Sequence, residues 1–449
     1  MKNYRNYFEN KKITVMGLGV LGRGIGDVKF LAECGADLIV TDLKKAEDLA
    51  ESVQQLTLYK NIQFVLGEHR LEDFVNRDMI LKSAGVPLDS IHIAEAKKNN
   101  IPVEMSSALF SRLAMKNGVT VIGVTGTRGK STVTHLIYQI LIKAFENKKH
   151  IFLGGNIKGV ATLPFIKDVQ SGDIAVLELD SWQLQGFGED GISPHISVFT
   201  TFLPDHMNYY KGSMELYLND KANIFKNQTE NDFLIIGKQA EEAIMKVFRD
   251  KIESTVTVQD ETDFPDSWNL KIPGVHNKYN AALAIEAVQK LSVSPDITKE
   301  VVESFTGVEG RLQFIKEVDG IKIYNDTTST MPDATIAGLK AVSNHKNVIL
   351  LMGGTDKLID MSALLNEIPE RTKSVVLLPG TGTDKIKEEL QKLEVPTYFA
   401  ETLSEALEKA ISFASKNDVL LFSPAFASFG LFKNEYDRGE QFVKLVSKL

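Results

Sequence analysis

One cysteine, Cys34, is all the thiol chemistry in these 449 residues. A single thiol excludes an intramolecular disulfide and fits a reducing compartment. Its place in an apolar helix points to a buried structural group rather than a reactive one. No run of about 18 apolar residues occurs, so no membrane insertion is expected. Met1 to Lys12 is polar and charged and lacks an apolar signal core, so no secretory signal is expected either. Positive charge is also short: Lys and Arg number 51 against 59 Asp and Glu, a net charge of −8. That balance argues against a nucleic-acid partner held by a basic surface, though local sites can still take anionic small molecules. Internal repeats, low-complexity tracts and long linkers are missing too. A cytoplasmic monomer acting on small molecules is the expectation.

What is present is an ordinary globular composition, 43% hydrophobic and 24% charged, in a chain long enough for several domains. Strands and helices alternate throughout, which predicts α/β domains built on parallel sheets.

The most informative stretch runs from Val119 to Val133. A β-branched run, Val119–Val124, reads as a buried strand. Gly126-Thr127-Arg-Gly129-Lys130-Ser131-Thr132 follows and opens an apolar-periodic helix (Val133, Leu136, Ile137, Ile140, Leu141). A strand, a glycine loop and a helix N-terminus carrying Lys-Ser-Thr form a phosphate cradle. Backbone N–H groups and the helix dipole face the anion, the lysine reaches the outer phosphates and a hydroxyl takes Mg²⁺. The usual pattern has a glycine where Val124 stands, so the spacing is a variant; a purely structural strand–turn–helix corner is the alternative.

Upstream, Ile13–Gly24 is a strand leading into Gly17-x-Gly19-x-x-Gly22, followed by a helix and a second strand that ends at Asp42. This glycine spacing suits a pyrophosphate and would serve NAD, FAD or a UDP-sugar equally. Further strands are expected at Ile62–Leu66, Met79–Ser83 and Ile101–Glu104, with the domain closing near residue 113.

In the second domain, Ile174–Asp180 is a buried strand broken by Glu178, a charge that needs a salt-bridge partner or a metal. His206, just past the strand Ile196–Phe202, is either a metal ligand or a satisfied loop histidine. Lys221 reads as a solvated lysine on a helix from about Ser213 to Phe225. Pro273–Asn280 reads as a turn before an alanine-rich helix, Ala281–Leu291, with Asn277 and Asn280 able to share a face or to cap it. A third doubly wound domain begins near Gly307 with a hairpin turned at Asp319-Gly320.

Taken together, Gly126–Thr132, Gly154-Gly-Asn156, Leu177-Glu-Leu179, Asp205-His-Met207, Lys221, His276-Asn277…Asn280, Arg311, Asn325-Asp326, Gly353-Gly…Lys357 and Ser423–Ser428…Phe432-Lys-Asn434…Arg438-Gly439 resemble the Mur ligases, most closely the glutamate-adding branch. The motifs occur in the family's order along the whole chain. The resemblance implies three domains: a Rossmann-like UDP-binding domain (1–113), a central P-loop ATPase-like domain (114–307) and a Rossmann-like C-terminal domain (308–449). It implies an ATP-dependent, ADP-forming ligase that joins glutamate to UDP-N-acetylmuramoyl-L-alanine through an acyl phosphate.

Residue by residue, the resemblance makes Lys130, Glu178, His206 and Lys221 catalytic. Gly126, Thr127, Gly129, Lys130, Ser131, Thr132, Asn277, Arg311 and Asp326 would bind ATP. The UDP substrate falls to Gly19, Val20, Leu21, Gly22, Asp42, Ser83 and Asn156, and the amino acid to Thr330, Lys357 and Ser428. Two Mg²⁺ sites, with Mn²⁺ as a substitute, would use Ser131, Thr132, Glu178, His206 and a carbamylated Lys221. Three positions depart from the pattern: Asp180, Thr328 and Glu435. Two of them lie around the expected amino-acid pocket, so the resemblance fixes the reaction class more firmly than the amino acid; with Lys357 and Ser428 retained, D-glutamate is the first expectation, with L-glutamate or another amino acid as alternatives. A folylpolyglutamate-type ligase would lack the N-terminal nucleotide domain. A dinucleotide-dependent oxidoreductase would leave Lys130, Glu178 and His206 without a purpose, and a non-catalytic nucleotide-binding regulator would have no need to retain them.

Overall fold

The computed structural model describes residues 4–19, 22–428 and 430–449. They form three sheets in two compact units, one comprising 1–264 with 279–301 and the other 265–278 with 302–449.

The first unit holds two all-parallel sheets. In spatial order one contains Ile62–Leu66, Asp37–Asp42, Lys12–Met16, Met79–Lys82 and Val103–Glu104. The other runs Thr255–Gln259, Phe233–Gly237, Ile196–Phe199, Thr120–Thr125, Ile174–Glu178 and Ile151–Gly155. Helices cover both faces of a parallel sheet, so its central strands read as unbroken apolar runs. Ile174–Glu178 is buried at every position. One continuous core joins the two sheets: Leu109 and Phe110 belong to the same buried cluster as Leu163, Leu177 and Leu184. The helix supplying them, Ser106–Lys116, passes straight through residue 113. Arg112 on this helix forms ion pairs with Glu104 and Asp190, tying it to the end of strand Val103–Glu104 and to the residue after Glu189.

The second unit contains a six-stranded sheet ordered Gln313–Val318, Ile321–Asn325, Val419–Phe422, Val348–Gly353, Thr372–Leu378 and Thr397–Phe399. Only the edge pair, the expected hairpin, is antiparallel. Strand alternation divides its core: Leu350 and Met352 face one cluster, while Ile349 and Leu351 face another.

One local expectation is corrected. The segment after Gly274 is not a turn, because the helix starts at Val275 and runs to Gln289. Pro273-Gly274 does punctuate the chain, and Gly274 has φ +105°, but the helix takes hold immediately afterwards. Asn277 and Asn280 are therefore interior residues, not caps. Cys34 follows the helix Arg23–Glu33, and burial pushes its thiol up to about 11, in keeping with an inert group.

Candidate active site

Strand Thr120–Thr125 delivers the chain into the glycine loop, and helix Lys130–Ala144 leaves it. Two glycines are required by contact as well as by conformation. Gly126 has φ +139°, and a Cβ there would lie 2.0 Å from Thr200 Oγ1. Gly129 has φ +85°, and a Cβ there would lie 2.3 Å from Asn280 Oδ1. The loop is pinned from the neighbouring strand end: Thr127 N–H donates to Thr201 O at 2.7 Å and Arg128 N–H to Thr201 Oγ1 at 2.9 Å. Lys130 folds back onto the loop, donating to Gly126 O at 3.0 Å and Thr127 O at 3.2 Å.

Ser131 donates its hydroxyl to Glu178 Oε2 at 2.5 Å. Glu178 is only 3% exposed, and among the described residues it has no ion pair. A buried carboxylate held by one hydroxyl has lone pairs left for a hard cation. Thr132 is half-buried on the next turn position.

Lys221 is not solvated. It is 2% exposed at the end of helix Met214–Lys221, and its ammonium donates to Gly126 O at 2.9 Å and lies 3.4 Å from Thr125 Oγ1. Burial drives it well below the ordinary lysine range, and the Lys130 charge adds to this against Asp180, Asp205 and Glu178. A lysine so placed exists readily as a neutral amine. His206 sits in a left-handed conformation, φ +54°, with its ring 4.6 Å from that of Trp182 and Nε2 3.8 Å from Asp205 Oδ2. Burial lowers its pKa too, Asp205 and Asp180 opposing and Lys221 and Lys130 adding, which favours the neutral imidazole that can ligate. Among the described residues no three His, Cys, Asp or Glu side chains form a ready metal cluster. The expected set has only two such residues, Glu178 and His206, of which Glu178 alone is anionic. Carboxylate, hydroxyl, imidazole and a convertible amine together fit a divalent cation.

The second part of the site is a cavity of about 320 Å³ whose lining includes Gly17, Gly19, Arg23, Ser83, Ser107 and Gln183. Gly17 has φ +94°, and a Cβ there would meet Ser83 Oγ at 2.4 Å. Asp42 accepts from the Gly19 N–H at 3.0 Å and the Lys44 N–H at 2.9 Å, so it buttresses the loop from the adjacent strand. Gly22, φ +85°, precedes the helix. Val20 and Leu21 lie outside the described residues. Asn156 connects the cavity to the acidic strand end. Its N–H donates to Glu178 O at 2.7 Å, while its Oδ1 accepts from Arg23 Nη1 at 2.7 Å.

Sequence reasoning missed Arg23 and Gln183. Gln183 forms a reciprocal capping box with Asp180 at the start of helix Ser181–Glu189, and it donates to Ser107 Oγ at 3.0 Å. The Asp-x-x-Gln spacing is a legible capping signal. It also accounts for one departure from the family pattern, since aspartate caps a helix as well as serine does.

In the second unit Asn277 donates to Pro273 O at 2.7 Å, and Arg311 is exposed. Asp326 is buried, accepting from Leu312 N–H at 2.9 Å, Ser329 Oγ at 2.6 Å and Ser423 Oγ at 2.7 Å. Burial raises it to about 6, against those bonds and Arg311. Lys357 donates to Thr330 Oγ1 at 2.8 Å. The loop ending at Ser428 joins the same cluster: Ala427 bridges Thr355, and Ala425 N–H donates to Ser329 O at 2.9 Å. Thr330, Lys357 and Ser428 are thus held on three mutually bonded loops.

Three family descriptions match in order: the Mur ligase MurD-like N-terminal domain at residues 11–104, the Mur ligase middle domain at 124–288 and the Mur ligase glutamate ligase domain at 310–426. A UDP-N-acetylmuramoylalanine–D-glutamate ligase of Borreliella burgdorferi is 35% identical over 460 residues, covering 98% of each chain. One of Roseiflexus is 34% identical, covering 97% of this chain and 98% of its own. Among solved structures, the UDP-N-acetylmuramate–alanine ligase of Thermotoga maritima superposes with a TM-score of 0.62 at 19% identity, covering 98% of this chain and 99% of its own, which bears on the fold alone. With full-length relatives at this identity and all three domains matched in sequence order, the chain belongs to the Mur ligase family.

Proposed function

We propose that this protein adds D-glutamate to UDP-N-acetylmuramoyl-L-alanine, using ATP and forming ADP and phosphate. The observation that carries this reading is Asn156. It bonds both Arg23 at the cavity and the Glu178 strand end beside the glycine loop, which supports a nucleotide-sugar site adjoining a phosphate site.

In this reading the alanyl carboxylate oxygen attacks the γ-phosphorus, the bond to ADP breaks, and an acyl phosphate forms. Lys130 exchanges its Gly126 and Thr127 carbonyl contacts for phosphate oxygens and offsets their charge. The loop N–H groups and the start of helix Lys130–Ala144 hold the remaining phosphates. The glutamate amine then attacks the acyl carbon, loses a proton, and phosphate leaves. Ser131, Thr132, Glu178 and His206 would hold Mg²⁺, which supplies charge neutralisation at the transferring phosphoryl group. Lys221 completes that set as a carbamate: its neutral nitrogen bonds to the carbon of CO₂ and sheds a proton. Asp42, Ser83, Gly19 and Gly22 position the uridine diphosphate. Asn277, Arg311 and Asp326 are assigned to ATP, and Thr330, Lys357 and Ser428 to the glutamate carboxylates.

Phosphate release from ATP in the presence of UDP-N-acetylmuramoyl-L-alanine tests the reading, with D-glutamate, L-glutamate or no amino acid added. Stimulation by D-glutamate alone is expected. Stimulation only by another amino acid would keep the chemistry and replace the substrate, and failure to bind the UDP substrate would overturn the reading of the cavity.

A further inference from the structure

Arg438 is the largest fully buried side chain among the described residues, at 1% exposure on helix Glu435–Val446. Its guanidinium donates only to uncharged oxygens: Nε to Thr327 Oγ1 at 3.1 Å, Nη2 to Thr327 O at 2.7 Å and Nη1 to Phe426 O at 3.3 Å. Among the described residues it forms no ion pair, and burial lowers its pKa to about 10, with Glu435 opposing at a distance. An unpaired buried cation carries a desolvation cost, so a hydrophobic side chain of similar volume would serve packing better. A planar fork bonded to two separate loops does something packing cannot: it fixes the distance between them.

Those loops are the ones that matter for the incoming amino acid. Thr327 opens the turn leading to Thr330, and Phe426 lies two residues before Ser428. Thr327 is held again from its own hydroxyl, which donates to Glu435 O at 3.0 Å, so the helix start and the turn are locked together. Arg438 also packs beside Gly353, Gly354 and Ser428, around a gap too small to hold a water molecule. The helix is itself anchored by Asn434, whose side chain accepts from the Tyr436 and Asp437 N–H groups at 3.0 Å.

We propose that Arg438 is a positioning residue for amino-acid selection. It clamps the Thr327–Thr330 turn to the Phe426–Ser428 loop and sets a positive charge with no ion-pair partner among the described residues behind them, which favours an amino acid with two carboxylates. The proposal rests on the assignment of Thr330, Lys357 and Ser428 to the amino acid.

The test is steady-state kinetics on Arg438→Met, Arg438→Lys and Thr327→Val, each with KM determined separately for glutamate, ATP and the UDP substrate. Arg438→Met should raise KM for glutamate about tenfold or more, with the other two KM values within about twofold. Arg438→Lys keeps the charge but loses the fork, and should fall between Arg438→Met and the wild type. Thr327→Val removes one acceptor of the clamp without touching the arginine, so it should shift KM for glutamate in the same direction even if Arg438→Met fails to fold. A parallel rise in all three KM values, or none in Thr327→Val, would overturn the proposal. Failure of the underlying reading is separate: the wild-type enzyme would then show no glutamate-stimulated phosphate release.

Discussion

The Ser131 hydroxyl and the buried Glu178 carboxylate meet at 2.5 Å, tying the first turn of the phosphate-loop helix to the end of the neighbouring strand. The bond keeps an otherwise unpaired buried carboxylate beside the glycine loop. Glu178→Gln keeps the shape and one acceptor but removes the charge. Loss of at least about a hundredfold in kcat is expected, with UDP-substrate binding retained. Near-normal turnover would show that Glu178 is only a strand-end anchor.

Lys130 donates to the Gly126 and Thr127 carbonyls of its own loop. Lys130→Ala is expected to abolish ATP turnover while calorimetric binding of the UDP substrate persists. Loss of both would mean a folding defect, and retained ATP turnover would remove Lys130 from the chemistry.

Gly129 gives the sharpest steric prediction. Gly129→Ala adds a Cβ 2.3 Å from Asn280 Oδ1 at a left-handed position. The backbone strain alone costs on the order of 1–3 kcal/mol. ATP affinity should fall, and the double variant Gly129→Ala with Asn280→Ala should recover part of it by opening the space. No recovery would mean that the conformation, not the contact, sets the requirement.

Much of this site was legible because its physics is local. The Gly-Lys-Ser-Thr run and the Gly17–Gly22 turn are dictated by neighbouring backbone geometry, and the structure places both where parallel strands end. Lys221 was not legible from composition, since nothing within one turn of its helix reveals that Gly126 and Lys130 close over it from almost 100 residues away. The helix at Val275 was obscured by Pro273-Gly274, a true breaker one residue too early to delay it. Arg438 was visible only as part of a motif, because its partners Thr327 and Phe426 come together through the sheet.

Asp27 carries a pH dependence whose sign follows from its surroundings. Burial raises this carboxyl to about 7, although the Ser106 hydroxyl, Arg23 and the Leu163 N–H all act to lower it. The unfolded chain ionises near 3.8, so between that value and about 7 the folded state holds one more proton than the unfolded state. Stability from this group is therefore present at low pH and lost as pH rises through that window. Asp27→Asn cannot ionise and escapes the loss. Its melting temperature relative to wild type should climb from pH 5 to pH 8. A gap that is constant with pH would mean that Asp27 is ionised throughout, held by Arg23 more firmly than burial opposes it.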